Sequence, residues 1–221
     1  MPVSATRKAA KRAEIVEHAA RLFRLRGHTG TNIDDIMLAA GLTRGAFYAH
    51  FTSKDDLFAE IVRMGHGLLP KLRAGEPAAV LDAYLDRENL NATAQGCALA
   101  ALAGDVARSP LAARLAYANV LHGVIAELAR GKKRSLDADA TAVAILAVGA
   151  VTLARASGDT RLSDWLLRCA RHAAKALMKP KPRKPPPKRR ASPKKKRSTS
   201  RPKGAAALPS RPSARSRGGR A

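Results

Sequence analysis

From residue 7 to residue 178 apolar residues recur at three- and four-residue spacing, and no run alternates as a half-buried strand must, so the chain is predicted to be all-α. In RAEIVEHAARLFRLRG, Ile15, Ala19, Leu22 and Phe23 share one face, and Gly27 stands where a helix C-terminus favours glycine. Asn32 is placed to cap a second helix, with Asp34 and Asp35 at the positive end of its dipole. That helix, IDDIMLAA, closes at Gly41. Thr43 then caps RGAFYAHF, and Ser53 with Asp56 forms a capping box for a longer helix running towards Arg73. Breakers at Gly75 and Pro77, at Gly96, at Ser109 and Pro110, at Gly131 and at Gly158 divide the rest into about five helices. Two of these, near 137–157 and 160–178, are apolar on more than one face, which suits pairing with a second copy.

The pattern stops after Met178. The last 43 residues hold 17 of the 41 Lys and Arg, nine of the 13 prolines and none of the 17 acids, so most of the net charge of +24 lies there. Such a composition cannot bury enough apolar surface to offset chain entropy, and 179–221 is predicted to be disordered. The positive surplus favours nucleic acid or an anionic surface as partner and says nothing of fold. No apolar run nears the roughly 18 residues of a membrane span, and MPVSATRKAAKRAE lacks the apolar core of a secretory signal. A cytoplasmic protein with no membrane partner is expected. Cys97 and Cys169 have no CxxC partner and read as small buried apolar residues; no basic residue stands near Cys97 in sequence to stabilise a thiolate.

GTNIDDIMLAAGLTRGAFYAHF carries the functional signal. A short helix ends at a glycine and a second restarts at a capping threonine, which is the grammar of a helix-turn-helix. Gly41 permits the tight turn, Ile36 and Leu42 fill the angle between the helices, and residues 43–51 present a helix start to base edges. The sequences GxSxG, HExxH, GxxxxGK[ST] and GxGxxG do not occur, the six histidines are scattered, and the paired acids lie in first helical turns. Neither catalysis nor a metal or cofactor is expected.

Over residues 12–62 the chain resembles the TetR/AcrR transcriptional regulators, most densely in GLTRGAFYAHFTSKDDLFAEIV, with Met37 where most members carry a small residue. GCALAALAGDVARSP and VGAVTLARASGDTRLSDWLL are similar to ligand-domain segments of one branch, so the resemblance covers about 7–178. It implies a helix-turn-helix DNA-binding domain at 1–52, a helical ligand-binding and dimerisation domain at 53–178, and an added basic tail at 179–221. It also implies phosphate contacts from Thr43, Tyr48, His50 and Lys54, and entry into the major groove by Arg44, Gly45 and Phe47. Arg44 has the bidentate chemistry for guanine, and Thr43 sits at a helix start, where unpaired amides favour anions.

Each role has a plain alternative. Phe47 is open to groove contact or core, Tyr48 to core, and His50 to an ordinary surface position, while the spacing of Phe51 points inward. Arg7, Lys8, Lys11 and Arg12 either reach DNA or form a solvated helix start. Leu99, Leu102, Tyr117, Leu121 and His122 are candidates for an effector pocket, plain core being favoured for each taken singly. The resemblance implies a ligand-responsive repressor that binds a palindromic operator in double-stranded DNA as a homodimer, answering to an unknown small-molecule effector. The alternative is an architectural nucleoid protein whose tail coats DNA, for which Ser192-Pro193-Lys194-Lys195 is the best single feature.

Overall fold

The computed structural model describes residues 2–130 and 137–179, and the basic tail beyond Lys179, with the disorder expected of it, therefore lies outside the described residues. The described residues are helical throughout apart from short connections. Helix α1 (Pro2–Arg26) buries Ile15, Ala19 and Phe23 and ends at Gly27, whose φ of +73° is the left-handed value that favours glycine. Leu22 of the same face is only partly buried.

Helix α2 (Ile33–Ala39) is capped by Asn32, whose side-chain oxygen accepts the Asp35 N–H at 2.7 Å. Its end is closed by two bonds, Leu42 N–H to the Met37 carbonyl at 2.9 Å and Gly41 N–H to that of Leu38 at 3.0 Å, with Gly41 at φ +66°. This is a Schellman closure, and it aims the chain into the next helix. Helix α3 (Arg44–Phe47) is shorter than RGAFYAHF implies, since the chain leaves α-geometry for a turn over 48–50. Thr43 precedes it in extended conformation, but its hydroxyl makes no capping bond.

Helix α4 (Lys54–Met64) is capped by Ser53, whose hydroxyl accepts the Asp56 N–H at 3.0 Å. The Asp56 carboxylate turns to the N–H and hydroxyl of Thr52, both at 3.2 Å, so the reciprocal half of the expected box is displaced by one residue. The single helix expected to run towards Arg73 breaks at Gly65 (φ +60°) and Gly67 (φ +106°), and α5 (Leu68–Ala74) starts anew.

The later segments fragment further: α6 (Pro77–Tyr84), α7 (Arg87–Asn91), a 3₁₀ turn (Thr93–Gln95), α8 (Ala98–Ala101) and α9 (Ala103–Ala107) precede three long helices, α10 (Leu111–Leu128), α11 (Ala138–Ala156) and α12 (Thr160–Met178).

Two buried clusters organise these helices. One joins Ile15, Phe23, Ile36, Phe47 and Phe58 to Leu102 and Ala116, so α4 and α10 close the underside of the helix-turn-helix. The other gathers Leu72, Tyr84, Leu85 and Cys97 against Val124, Ala147 and Leu167. Ala140, Ala144, Ala147, Val151 and Ala154 are buried on α11, where small side chains let helix axes approach closely, and α12 lies along it. By length and composition α11 would span a membrane, which qualifies the expectation of no such segment; here it packs between α10 and α12. Cys97 is buried as expected. Cys169 is not, because it falls on the outward face of α12 beside exposed Leu162 and Trp165.

Candidate nucleic-acid interface

Phe47 decides how α3 is presented. It is fully buried, edge-on to Tyr48 at 5.3 Å between ring centroids and tilted against Phe51 at 5.6 Å. Of the two roles open to it, Phe47 takes the packing one, since its ring supplies the apolar anchor that so short a helix needs. Phe51 is buried beside it. With Phe47 inward, Thr43, Arg44, Gly45 and Tyr48 all face solvent, Tyr48 at 57% exposure. An added Cβ at Gly45 would meet nothing within 4 Å, so this part of α3 is open to close approach. The Thr43 hydroxyl, free of capping duty, is a spare donor at the helix start.

Arg44 is ion-paired through Nη1 with the Asp34 carboxylate in the first turn of α2. Both side chains are largely exposed. The only hint of Asp34 in the sequence was its dipole-favoured place, which gave no sign that it meets Arg44.

Lys54 is partly buried, and its ammonium donates to the carbonyls of His28 and Thr31, both at 2.9 Å. These carbonyls belong to the chain between α1 and α2, so Lys54 ties the start of α4 to that connection. His50 is half-buried with Nδ1 lacking a hydrogen-bond partner. Burial lowers its pKa, and the charges of Lys8, Arg12 and Lys11 lower it further. The basic N-terminal half of α1 thus lies close enough to His50 to act on it electrostatically. Arg7 and Lys8 are exposed, but Arg12 is committed to Glu60 and lies over the Phe51 ring at 4.5 Å.

Three of the five pocket candidates, Leu99, Tyr117 and Leu121, meet in one buried cluster. Leu99 belongs to the cluster beneath α11 and α12, Leu102 to the one beneath the helix-turn-helix, and Tyr117 touches both while donating to the Leu99 carbonyl at 2.8 Å. Leu121 is partly buried and His122 is exposed. A groove of about 580 Å³ lies elsewhere, between α1 and α4, lined in part by Val16, Ala20, Arg24, Met64 and His66.

Residues 15–61 match the family described as bacterial regulatory proteins, tetR family. The HTH-type transcriptional regulator AcrR of Shigella flexneri is 39% identical over 77 residues, which are 32% of this chain and 36% of that protein. The chain thus matches about a third of the length of that curated relative. Among solved structures, reduced NemR from E. coli superposes with a TM-score of 0.61 at 24% identity, covering 76% of this chain and 96% of that one. A TetR-family transcriptional regulator from Cytophaga hutchinsonii gives 0.59 at 21% identity, covering 77% and 96%. Residues 15–61 are therefore a tetR-family helix-turn-helix domain, set in the all-α fold of the TetR/AcrR regulators.

Proposed function

We propose that the chain is a sequence-specific DNA-binding transcriptional regulator, a ligand-responsive repressor that reads a palindromic operator as a homodimer. The observation that carries the reading is the split in α3. Phe47 anchors the helix while Thr43, Arg44, Gly45 and Tyr48 are exposed to solvent, Arg44 in its ion pair with Asp34, as groove and phosphate contacts require. Arg44 would read guanine, and Thr43, Tyr48 and His50 would hold phosphates, with Lys8 and Lys11 adding charge beside His50. Lys54 would act mainly by fixing the α1–α2 connection. Similarity to AcrR and to KstR2 of Rhodococcus jostii, an HTH-type transcriptional repressor, supports regulation and repression.

Pairing through α11 and α12 is supported by Ile145, Leu153, Leu162 and Trp165, which leave an apolar face uncovered on those two helices. Two-fold pairing would set the two α3 helices one or more helical turns of DNA apart. An effector would shift affinity by binding the DNA-competent and DNA-incompetent arrangements unequally.

A second reading, an architectural protein that coats DNA, rests on the 17 Lys and Arg of the last 43 residues. Selection of bound DNA from a random pool, run on the full chain and on residues 1–178, separates the two. The regulator reading expects the same palindromic consensus from both, with weaker salt dependence for the shorter chain because each phosphate neutralised adds about −0.9 to the slope. Loss of all sequence preference on truncation would refute it.

A further inference from the structure

Arg12 of α1 is paired with Glu60 of α4, and from that pair to Arg24 a groove of about 580 Å³ runs between the two helices. At 1.5 Å per residue, Arg12 and Arg24 stand about 18 Å apart along α1, so the groove is long. Its walls change along that length. Ala13, Val16 and Ala20 of α1 and Met64 of α4 make an apolar middle, and Met64, the last residue of α4, is left 49% exposed. At the Arg24 end the lining adds His66 and Gln95, the latter from the 3₁₀ turn packed on α1. Apolar walls with a few polar groups, around a volume of this order, are what small-molecule sites are made of.

Arg24 is the group in this lining without a counterpart. Its Nε donates to the Ala94 carbonyl at 2.8 Å, but Nη1 is buried with no hydrogen-bond partner, and among the described residues no carboxylate pairs with the guanidinium. The acids of the groove do not answer it. Glu60 is committed to Arg12 at the far end, and Glu17 is exposed and two turns back, about 10 Å along α1. The uncompensated charge reaches His66, whose pKa is lowered by burial first and by Arg24 next. A partly desolvated cation with a spare buried donor favours an anionic acceptor, and a carboxylate suits the paired N–H groups of a guanidinium.

We propose that the groove between α1 and α4 binds an elongated apolar monocarboxylate, its head on Arg24 and its body along Ala13, Val16, Ala20 and Met64. The two ends fix this class. A small inorganic anion would leave Met64 uncovered, an uncharged apolar molecule would leave Arg24 unpaired, and an organic cation would meet the charge of Arg24. Val16 and Ala20 belong to the buried cluster that also holds Phe47, so a ligand wedged against them presses on the support of the reading head. Binding would thereby alter how α3 is presented to DNA. Only this last step rests on the regulator reading, to whose effector it gives a site and a chemical class.

The test is calorimetric titration of the full chain with sodium decanoate. The proposal expects saturable binding that weakens roughly tenfold or more in Arg24→Met, which keeps the apolar stem and removes the charged donor. Sodium acetate, which lacks the body, and decyltrimethylammonium, which lacks the carboxylate, should not bind comparably. Ala13→Trp fills the middle of the groove from an exposed position, so it should abolish binding with the fold and Arg24 intact. Absence of saturable decanoate binding would overturn the proposal, as would equal affinity in Arg24→Met, undiminished binding to Ala13→Trp, or equal binding of decyltrimethylammonium. Release of DNA by decanoate is measured separately, so its failure leaves the site standing and removes only the regulation.

Discussion

Arg44 at the start of α3 is held by the Asp34 carboxylate of α2, so the side chain best placed to read a base already has a partner. Both groups are largely exposed, and a pair of this kind contributes under about 1 kcal/mol to stability. Its effect is expected on DNA binding instead. Asp34→Ala should leave the melting temperature nearly unchanged, raise affinity for unrelated DNA by removing a nearby negative charge, and blunt base discrimination by freeing the Arg44 rotamer. Arg44→Ala should relax preference at one position in each half-site, at about 1–3 kcal/mol for the preferred base. Binding profiles over a randomised operator measure both; an unchanged profile for Arg44→Ala would remove it from the base contacts.

Phe47 and Tyr48 are adjacent, yet opposite outcomes are expected. Phe47→Ala opens a cavity under α3 and should cost about 3–5 kcal/mol. Tyr48→Ala should change stability by less than about 0.5 kcal/mol, as at other exposed positions, while weakening binding to all DNA sequences alike. Urea titrations paired with binding isotherms would distinguish them. A stable Phe47→Ala protein that lost only sequence preference would return Phe47 to the groove.

The resemblance to the TetR/AcrR regulators implies a phosphate contact for Lys54, while its ammonium donates to the His28 and Thr31 carbonyls. Hydrogen bonds from a charged donor contribute about 1.5–3 kcal/mol each when the alternative is an unpaired group. Lys54→Met should therefore destabilise the protein by at least about 1.5 kcal/mol in urea titration. If Lys54 also retained a phosphate contact, the salt slope of binding would flatten by about one unit as well. A change of slope with no loss of stability would show that the two internal bonds are unimportant.

What was legible in the sequence was local. The caps at Asn32 and Ser53 and the glycine closures at Gly27 and Gly41 each depend on a few consecutive residues, and each forms. The break at Gly65 was hidden because the apolar period of α4 continues into α5, and only the left-handed turn separates them. Relationships made across the fold had no local signal: Asp34 against Arg44, the charge of Lys8 acting on His50, Arg24 on the Ala94 carbonyl, and Arg155 on those of Asn89 and Leu90. The pocket candidates were hard to tell from core for a related reason. Apolar residues that line a cavity and those that fill a core have the same composition, and Leu99 and Leu102 prove to serve different cores.

His50 gives the interface a pH dependence with a definite sign. Its pKa in the free protein lies below the ordinary value of about 6.5, through burial first and then the charges of Lys8, Arg12 and Lys11. A phosphate on the ring would offset those charges and raise the pKa, so binding would take up a proton. Affinity should rise as pH falls through the pKa of the complex and level off below that of the free protein. Folding carries the opposite sign: stability from a His with a depressed pKa is complete above about 6.5 and is lost as pH falls through the folded value. Binding measured from pH 8 down to the onset of acid unfolding should show this rise in the natural protein and lose it in His50→Gln.

Dimerisation through α11 and α12 makes the sharpest demand on the exposed apolar face. Ile145 and Leu153 are two helical turns apart on α11, and Leu162 and Trp165 extend the face onto α12, with Arg168 above the Trp165 ring at 5.5 Å. Isolated apolar side chains on a surface are ordinary, but four large ones exposed on two helices packed together call for a cover. Ile145→Asp would bury a carboxylate at the proposed contact and, by two-fold symmetry, bring a second one close to it. In the monomer the same position faces water, so the substitution should leave the fold intact. Sedimentation is expected to show a dimer for the natural chain and a folded monomer for Ile145→Asp. Operator affinity should fall by at least roughly a hundredfold, because each half-site must then bind without the second one linked to it. A dimer that survives Ile145→Asp together with Trp165→Asp would place the interface elsewhere, and with it the geometry of the operator.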